Sequence, residues 1–222
     1  KTGIFLSYKG LGANLLHLSY CHQIAKKYGP VSLITLCPNL NKILKSDPLI
    51  KEVFYLDKYH KKFFDLFKLA KFLKEFNFEN IFIFYPGLRQ FLSCKIAGIK
   101  NIYHYPFFNK KNLHLVNAAK NFTEKSLKIE NCPTETKIFI DHSKIEKYKL
   151  SDRKKIILGI GSSGPTTKWG YDNFASLINE LNKIGDYYFY LLCGSDEENG
   201  AKKIINKIEK KNCESLSSKD VS

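Results

Sequence analysis

An α/β protein of two parallel-sheet domains, the second incomplete, is the fold the sequence predicts, and three observations predict it. Short apolar runs alternate with longer amphipathic stretches, the pattern of right-handed β-α-β units building a parallel sheet. That alternation runs from Ile4 to Leu127, lapses over a charged stretch at 130–155, and resumes at Ile156. After Ile156 there is room for only two more strands and two helices, whereas a sheet usually has about 4–6 strands. The expected domains are therefore 1–150 and 151–222, both Rossmann-like, with the chain stopping inside the second.

Each element has a local reason. The run at 4–8 reads as a strand, and Gly10 and Gly12 form the turn that follows it. A helix is expected from Asn14 to Tyr28, because Leu15, Leu18 and Ile24 share a face and Gly29-Pro30 stops it. Strands are expected at 31–36 and 52–56, with a short helix at 38–45 between them. The stretch 61–76 repeats Phe63, Phe67 and Ala70 at helical spacing. An apolar strand at 80–85 ends at Pro86-Gly87, followed by a helix at 91–97, a strand at 101–105 and a helix at 113–127. A short strand is expected at 137–140. The second alternation gives a strand from Ile156, a helix at 171–184 stopped by Gly185, a strand at 187–193 and a helix at 197–210.

Composition narrows the class. With 44% hydrophobic and 14% aromatic residues the chain is not disordered. No apolar run approaches the roughly 18–20 residues of a membrane span. The six cysteines are scattered, without a C-x-x-C pair, which suits reduced thiols and a cytoplasmic setting. The net charge of +15 is unevenly shared. Residues 1–151 carry 25 Lys and Arg against 11 Asp and Glu, while residues 152–222 carry 11 against 10. Such a first domain favours anionic partners, or reflects a lysine-rich surface with no partner at all. Nucleic acid is not the expected partner: the only arginines are Arg89 and Arg153, too few for bidentate base contacts.

Three turns could carry chemistry. Gly10-x-Gly12 half-matches a dinucleotide fingerprint but lacks its third glycine and the acid ending the second strand. Gly12 allows a ligand close to the backbone, and Asn14 and His17 could face the cleft, although His17 could equally be a packed helix residue. Gly161-Ser162-Ser163-Gly164-Pro165-Thr166-Thr167-Lys168 places hydroxyls, glycines and an ammonium before a helix, a set of donors suited to phosphate oxygens. The same composition also serves a plain β-α loop. Gly194-Ser195-Asp196 occupies the corresponding corner one strand later, where Asp196 could bind ribose hydroxyls or cap a helix. Arg89, just past the fourth strand, is a candidate anion contact or an ordinary surface arginine. No metal cluster and no Ser/His/Asp set can be picked out.

In order along the chain, these residues resemble glycosyltransferase family 9, the lipopolysaccharide heptosyltransferases. The resemblance spans essentially the whole sequence. It rests on the Gly-Leu-Gly turn entering Leu-Leu-His-Leu, the run from Asp47 through Val53, Pro86-Gly87-Leu88-Arg89, and Gly98-Ile99-Lys100. Its most specific part is Gly161-Ser162-Ser163 followed by Lys168-Trp169 and Phe174-Ala175, then Gly194-Ser195-Asp196.

The resemblance implies the GT-B fold and an inverting transfer of a heptose or related sugar from an ADP-activated donor to a lipid-linked, lipopolysaccharide core-type acceptor. It implies no cofactor and no required metal. By position, Ser162, Ser163, Thr167 or Lys168, and Asp196 are the implied donor-binding residues, and Gly12, Asn14 and Arg89 line the acceptor-side cleft. Where the family has its catalytic aspartate this chain has Ala13, leaving His17 as the only candidate base. The family's later donor motif, Asp-x-Gly followed by His, lies past the end of the chain. A cytoplasmic protein held peripherally on an anionic inner-membrane surface fits the basic first domain. The alternative is a divergent or non-catalytic protein of the same fold that binds sugar nucleotide or glycolipid.

Overall fold

The computed structural model describes residues 1–56, 65–106, 114–141, 152–162 and 167–217. The chain divides into two compact units, Lys1–Ser143 and Lys144–Ser222.

The first unit is built on five parallel strands: β1 (Thr2–Leu6), β2 (Val31–Thr35), β3 (Ile50–Tyr55), β4 (Asn80–Ile83) and β5 (Asn101–His104). Their order is β3-β2-β1-β4-β5, so the winding reverses between β1 and β4. β1, β2 and β4 are buried along their whole length, which is why they read as continuous apolar runs rather than as alternation. The period of two still sorts their side chains. Ile4, Leu6, Leu33, Phe82 and Phe84 point to a layer made by α1 (Leu11–Leu16), α2 (Leu18–Tyr28), α3 (Leu40–Ile43) and α6 (Leu115–Leu127). Phe5, Ile34, Ile81 and Ile83 point the other way, to α4 (Asp65–Glu75) and α5 (Leu88–Ile96).

The single helix expected over residues 14–28 is two helices. It begins at Leu11 and breaks at His17, whose imidazole causes the break. His17 Nδ1 donates to the Ala13 carbonyl at 2.6 Å, the acceptor that the His17 backbone N–H would take in a continuous helix. That N–H turns instead to the Asn14 carbonyl at 3.1 Å. The strand expected at 137–140 does not form a ladder. Its segment is anchored by other means: Thr136 Oγ1 donates to the Leu15 carbonyl, and Phe139 meets His22 edge-on. The start of the helix expected from Lys61 and the Leu113 end of the helix at 113–127 lie outside the described residues.

Two buried polar knots hold this unit. His22 Nε2 and Asp47 Oδ2 are 2.7 Å apart in the interior, and Asp47 Oδ1 also accepts the Leu49 N–H. The pair ties α2 to the turn entering β3. Asn14 is the other knot. Its amide donates to the carbonyls of Tyr8 and Gly10, and its Oδ1 accepts the Thr35 hydroxyl.

The second unit has three parallel strands in sequential order, β6 (Lys154–Gly159), β7 (Tyr187–Leu192) and β8 (Cys213–Leu216). α7 (Tyr171–Ile184) and α8 (Glu198–Lys207) cover one face, enclosing Phe189, Leu191, Ile178 and Ile204. β8 is a third strand where the sequence predicts two. Its sequence Cys-Glu-Ser-Leu is short and half polar, and only pairing with β7 makes it a strand.

Candidate functional site

Of the expected donor residues, Ser162, Thr167 and Lys168 lie at one corner of the second unit, with Asp196 on the neighbouring turn. β6 and β7 are neighbours and parallel, so the loops leaving their carboxyl ends lie side by side. The first carries Gly161 and Ser162. The second is the turn Gly194 followed by a 3-10 turn, Ser195–Glu197, which leads into α8. Ser162 Oγ and Thr167 Oγ1 are hydrogen-bonded to each other across the loop. Ser163, Gly164, Pro165 and Thr166 lie outside the described residues.

Lys168 faces this corner. Its Nζ is 3.2 Å from Glu197 Oε1, and the Glu197 carboxylate reaches back between the two loops. A Cβ placed on Gly161 would come within 3.3 Å of Glu197 Oε2, and one on Gly194 within 3.1 Å. The glycines at both positions therefore leave the space that Glu197 occupies. Trp169 stands edge-on to Phe174, with ring centroids 5.0 Å apart, and its carbonyl accepts the Asn173 amide at 2.6 Å. These contacts fix the residue after Lys168 to the first turn of α7.

Glu197 is the residue sequence reasoning missed. Its place beside Glu198 at a helix start reads as a complement to the helix dipole. In the structure its side chain is 12% exposed and holds the loop's ammonium. Asp196, the acid singled out by sequence, is exposed on the 3-10 turn and makes no capping bond. The sequence signal was there in retrospect: a second acid one position on, at the mouth of the same turn.

In the first unit the expected cleft residues fall in two places. Arg89 and Gln90 of α5 line a cavity of about 20 Å³ with Ser7 and Thr35, at the carboxyl ends of β1 and β2. Gln90 Nε2 donates to Ser7 Oγ at 3.4 Å. Ligands of open α/β sheets bind at such carboxyl edges, near the point where winding reverses. Gly12 is exposed on α1, with open space where a Cβ would sit. Asn14 is not in the cleft: it is 1% exposed and its amide is spent on the knot described above.

His17 is fully buried. Its ring stacks on Tyr8 at 4.8 Å and meets Phe84 edge-on at 5.3 Å. Nδ1 is used by Ala13, and Nε2 has no hydrogen-bond partner among the described residues. Burial lowers its pKa below 6.5, against the opposing pull of the Ala13 carbonyl, so the ring is neutral near pH 7. The neighbouring Tyr8 phenol is pushed up to about 12, first by burial and then by Tyr85. Among the described residues no three His, Cys, Asp or Glu side chains are grouped to hold a metal, and no helix is long and apolar enough to cross a membrane.

Two Rossmann-like units, each with its loops at the carboxyl edge of a parallel sheet, define the class of fold. Among solved structures, the chain is similar to the glycosyl transferase family 9 protein from Veillonella parvula, with a TM-score of 0.75 and 16% identity over 98% of this chain and 69% of that one. It is similar to E. coli ADP-heptose lps heptosyltransferase II, with a TM-score of 0.71 and 15% identity over 100% and 73% of the two chains. E. coli heptosyltransferase WaaC with ADP gives a TM-score of 0.66 and 14% identity over 97% and 75%. The chain thus has the fold of these GT-B glycosyltransferases. No family model and no curated protein matches it.

Proposed function

We propose that this chain is a glycosyltransferase that grips the diphosphate of a nucleotide-sugar donor in the loops of its second unit. The observation that carries the reading is Lys168 at the mouth of two glycine-containing loops, paired among the described residues with the Glu197 carboxylate that occupies the space between them. The hydroxyls of Ser162 and Thr167 and the loop N–H groups add donors, and a departing diphosphate is stabilised by such groups. The more specific version follows the family resemblance: a heptose or related sugar moves from an ADP-activated donor to a lipid-linked, lipopolysaccharide core-type acceptor. The acceptor is assigned to the carboxyl edge of the first unit, beside Arg89, with Gly12 on the rim. In the reaction an acceptor hydroxyl attacks the anomeric carbon, the bond from that carbon to the diphosphate oxygen breaks, and the hydroxyl proton passes to a base.

One observation favours a second reading, binding without transfer. Ala13 occupies the family's base position, and His17, one turn on, is sealed beneath Tyr8. Incubation with ADP-heptose and a lipopolysaccharide-core acceptor separates the two. Transfer predicts acceptor-dependent ADP release and an inverted glycoside. ADP binding with no release, together with release gained by Ala13→Asp, would establish the second reading. Neither binding nor release would refute both.

A further inference from the structure

The first unit carries an exposed apolar stripe that its own core does not use. On α5 the residues facing the sheet and α4 are Ser93 and Cys94, both fully buried, and Ser93 Oγ donates to the Leu66 carbonyl of α4. On the opposite side Leu88, Leu92 and Ile96 are 58%, 38% and 52% exposed. Their spacing of four residues stacks them along one line of the helix. The adjoining α4 adds Phe67, which is 56% exposed. Single exposed apolar residues are ordinary, but a row of large ones stacked along one helix marks a contact surface.

The charges beside the row indicate what it contacts. The exposed ionisable residues of α4 are Lys68, Lys71, Lys74 and Glu75. α5 has no acidic residue at all, and Lys95 stands beside Ile96, with Lys100 exposed just beyond the helix. Lys95 leans over the Phe91 ring, 5.7 Å from its centroid, laying its aliphatic stem along apolar surface. Large apolar side chains flanked by lysines, with hardly any acids, are the composition of a surface that lies in the interface of an anionic bilayer.

We propose that the outer side of α4 and α5 docks the protein on an anionic lipid bilayer, with Leu88, Leu92, Ile96 and Phe67 entering the headgroup region and the lysines of both helices meeting lipid phosphates. The proposal rests on the reading above in one respect: a lipid-linked acceptor gives the docking its purpose. Leu88 adjoins Arg89, so α5 joins the lipid contact to the acceptor edge of the sheet. Docking by this helix brings that edge to the membrane, where a lipid-linked sugar is presented.

The test uses the full chain, with vesicles of phosphatidylcholine alone and vesicles doped with phosphatidylglycerol. The expected result is binding that requires the anionic lipid and weakens as salt is raised, since exposed charges are screened within about 10 Å at 0.1 M. The triple variant Leu88→Ser, Leu92→Ser, Ile96→Ser is expected to lose about tenfold or more in partitioning, while retaining the thermal transition and ADP affinity of the parent. Equal binding to neutral and anionic vesicles, or a triple variant that binds like the parent, overturns the docking. So does a dimer in sedimentation velocity that the triple variant dissolves, because a second copy would then be the occupant. Loss of ADP binding by the parent with intact vesicle binding sinks the transferase reading and leaves the docking standing.

Discussion

Replacing Ser162 and Lys168 together by alanine is expected to lower the affinity for ADP by about two orders of magnitude. Each removes a donor to phosphate oxygen, and hydrogen bonds to charged groups contribute about 1.5–3 kcal/mol each. The lysine carries the larger share, because an ammonium-to-phosphate contact is charge-assisted and the hydroxyl contact is shared with Thr167. Both side chains sit in loops rather than in a core, so the thermal transition should be unchanged. Isothermal titration with ADP reads the effect directly. An unaltered affinity in the double variant would remove the diphosphate from this corner.

The largest expected stability effect lies far from that corner, at Asp47. Asp47→Ala is expected to destabilise the first unit by about 3 kcal/mol, because it leaves two donors without an acceptor at about 1–3 kcal/mol each. The substitution strips the partner from a buried imidazole and leaves the Leu49 N–H without its acceptor. For a unit of this size that is roughly 10 °C in melting temperature, at about 2–4 °C per kcal/mol. Asp47→Asn keeps an acceptor for one of the two donors and is expected to lose about half as much. Thermal unfolding followed by circular dichroism checks the order. An Asp47→Asn variant as stable as the parent would mean that the pair contributes packing rather than hydrogen bonding.

The sequence foretold those parts of the fold that burial alone determines. β1, β2 and β4 are buried throughout and mostly apolar because helices cover both faces of their sheet, and that pattern survives without knowledge of partners. The residues at 137–140 show the limit of pattern. Ile138, Phe139 and Ile140 form a short apolar run of strand length, yet both isoleucines are exposed and no strand pairs with them among the described residues. Composition suggests a strand, whereas a ladder needs a partner that the local sequence does not encode. The break at His17 is a different case. Helical periodicity continues through it, and only the geometry of one imidazole against one carbonyl interrupts the bonding.

The candidate site was legible to the same degree. A loop rich in hydroxyls ending at Lys168 announces anion chemistry locally, because all its donors are adjacent in sequence. The pairing of Lys168 with Glu197 is not local. It arises only because β6 and β7 are neighbours and bring their two carboxyl-end loops together. The place of Asn14 after the first turn predicts a cleft residue, but its bond to Thr35 joins α1 to the end of β2, two elements that the sequence does not align. The split in charge between the two halves of the chain was plain from composition. That an apolar row on α5 lies among the lysines required knowing which side of that helix faces the sheet.

The central claim is that the second unit holds the donor diphosphate. Backbone amide chemical-shift mapping of the isotope-labelled chain during titration with ADP tests it most directly. The account predicts saturable shifts at Gly161, Ser162, Lys168, Gly194 and Glu197, with the Lys168–Glu197 contact giving way as phosphate replaces the carboxylate. Shifts confined to Ser7, Arg89 and Gln90 of the first unit, or no shifts at all, would contradict it.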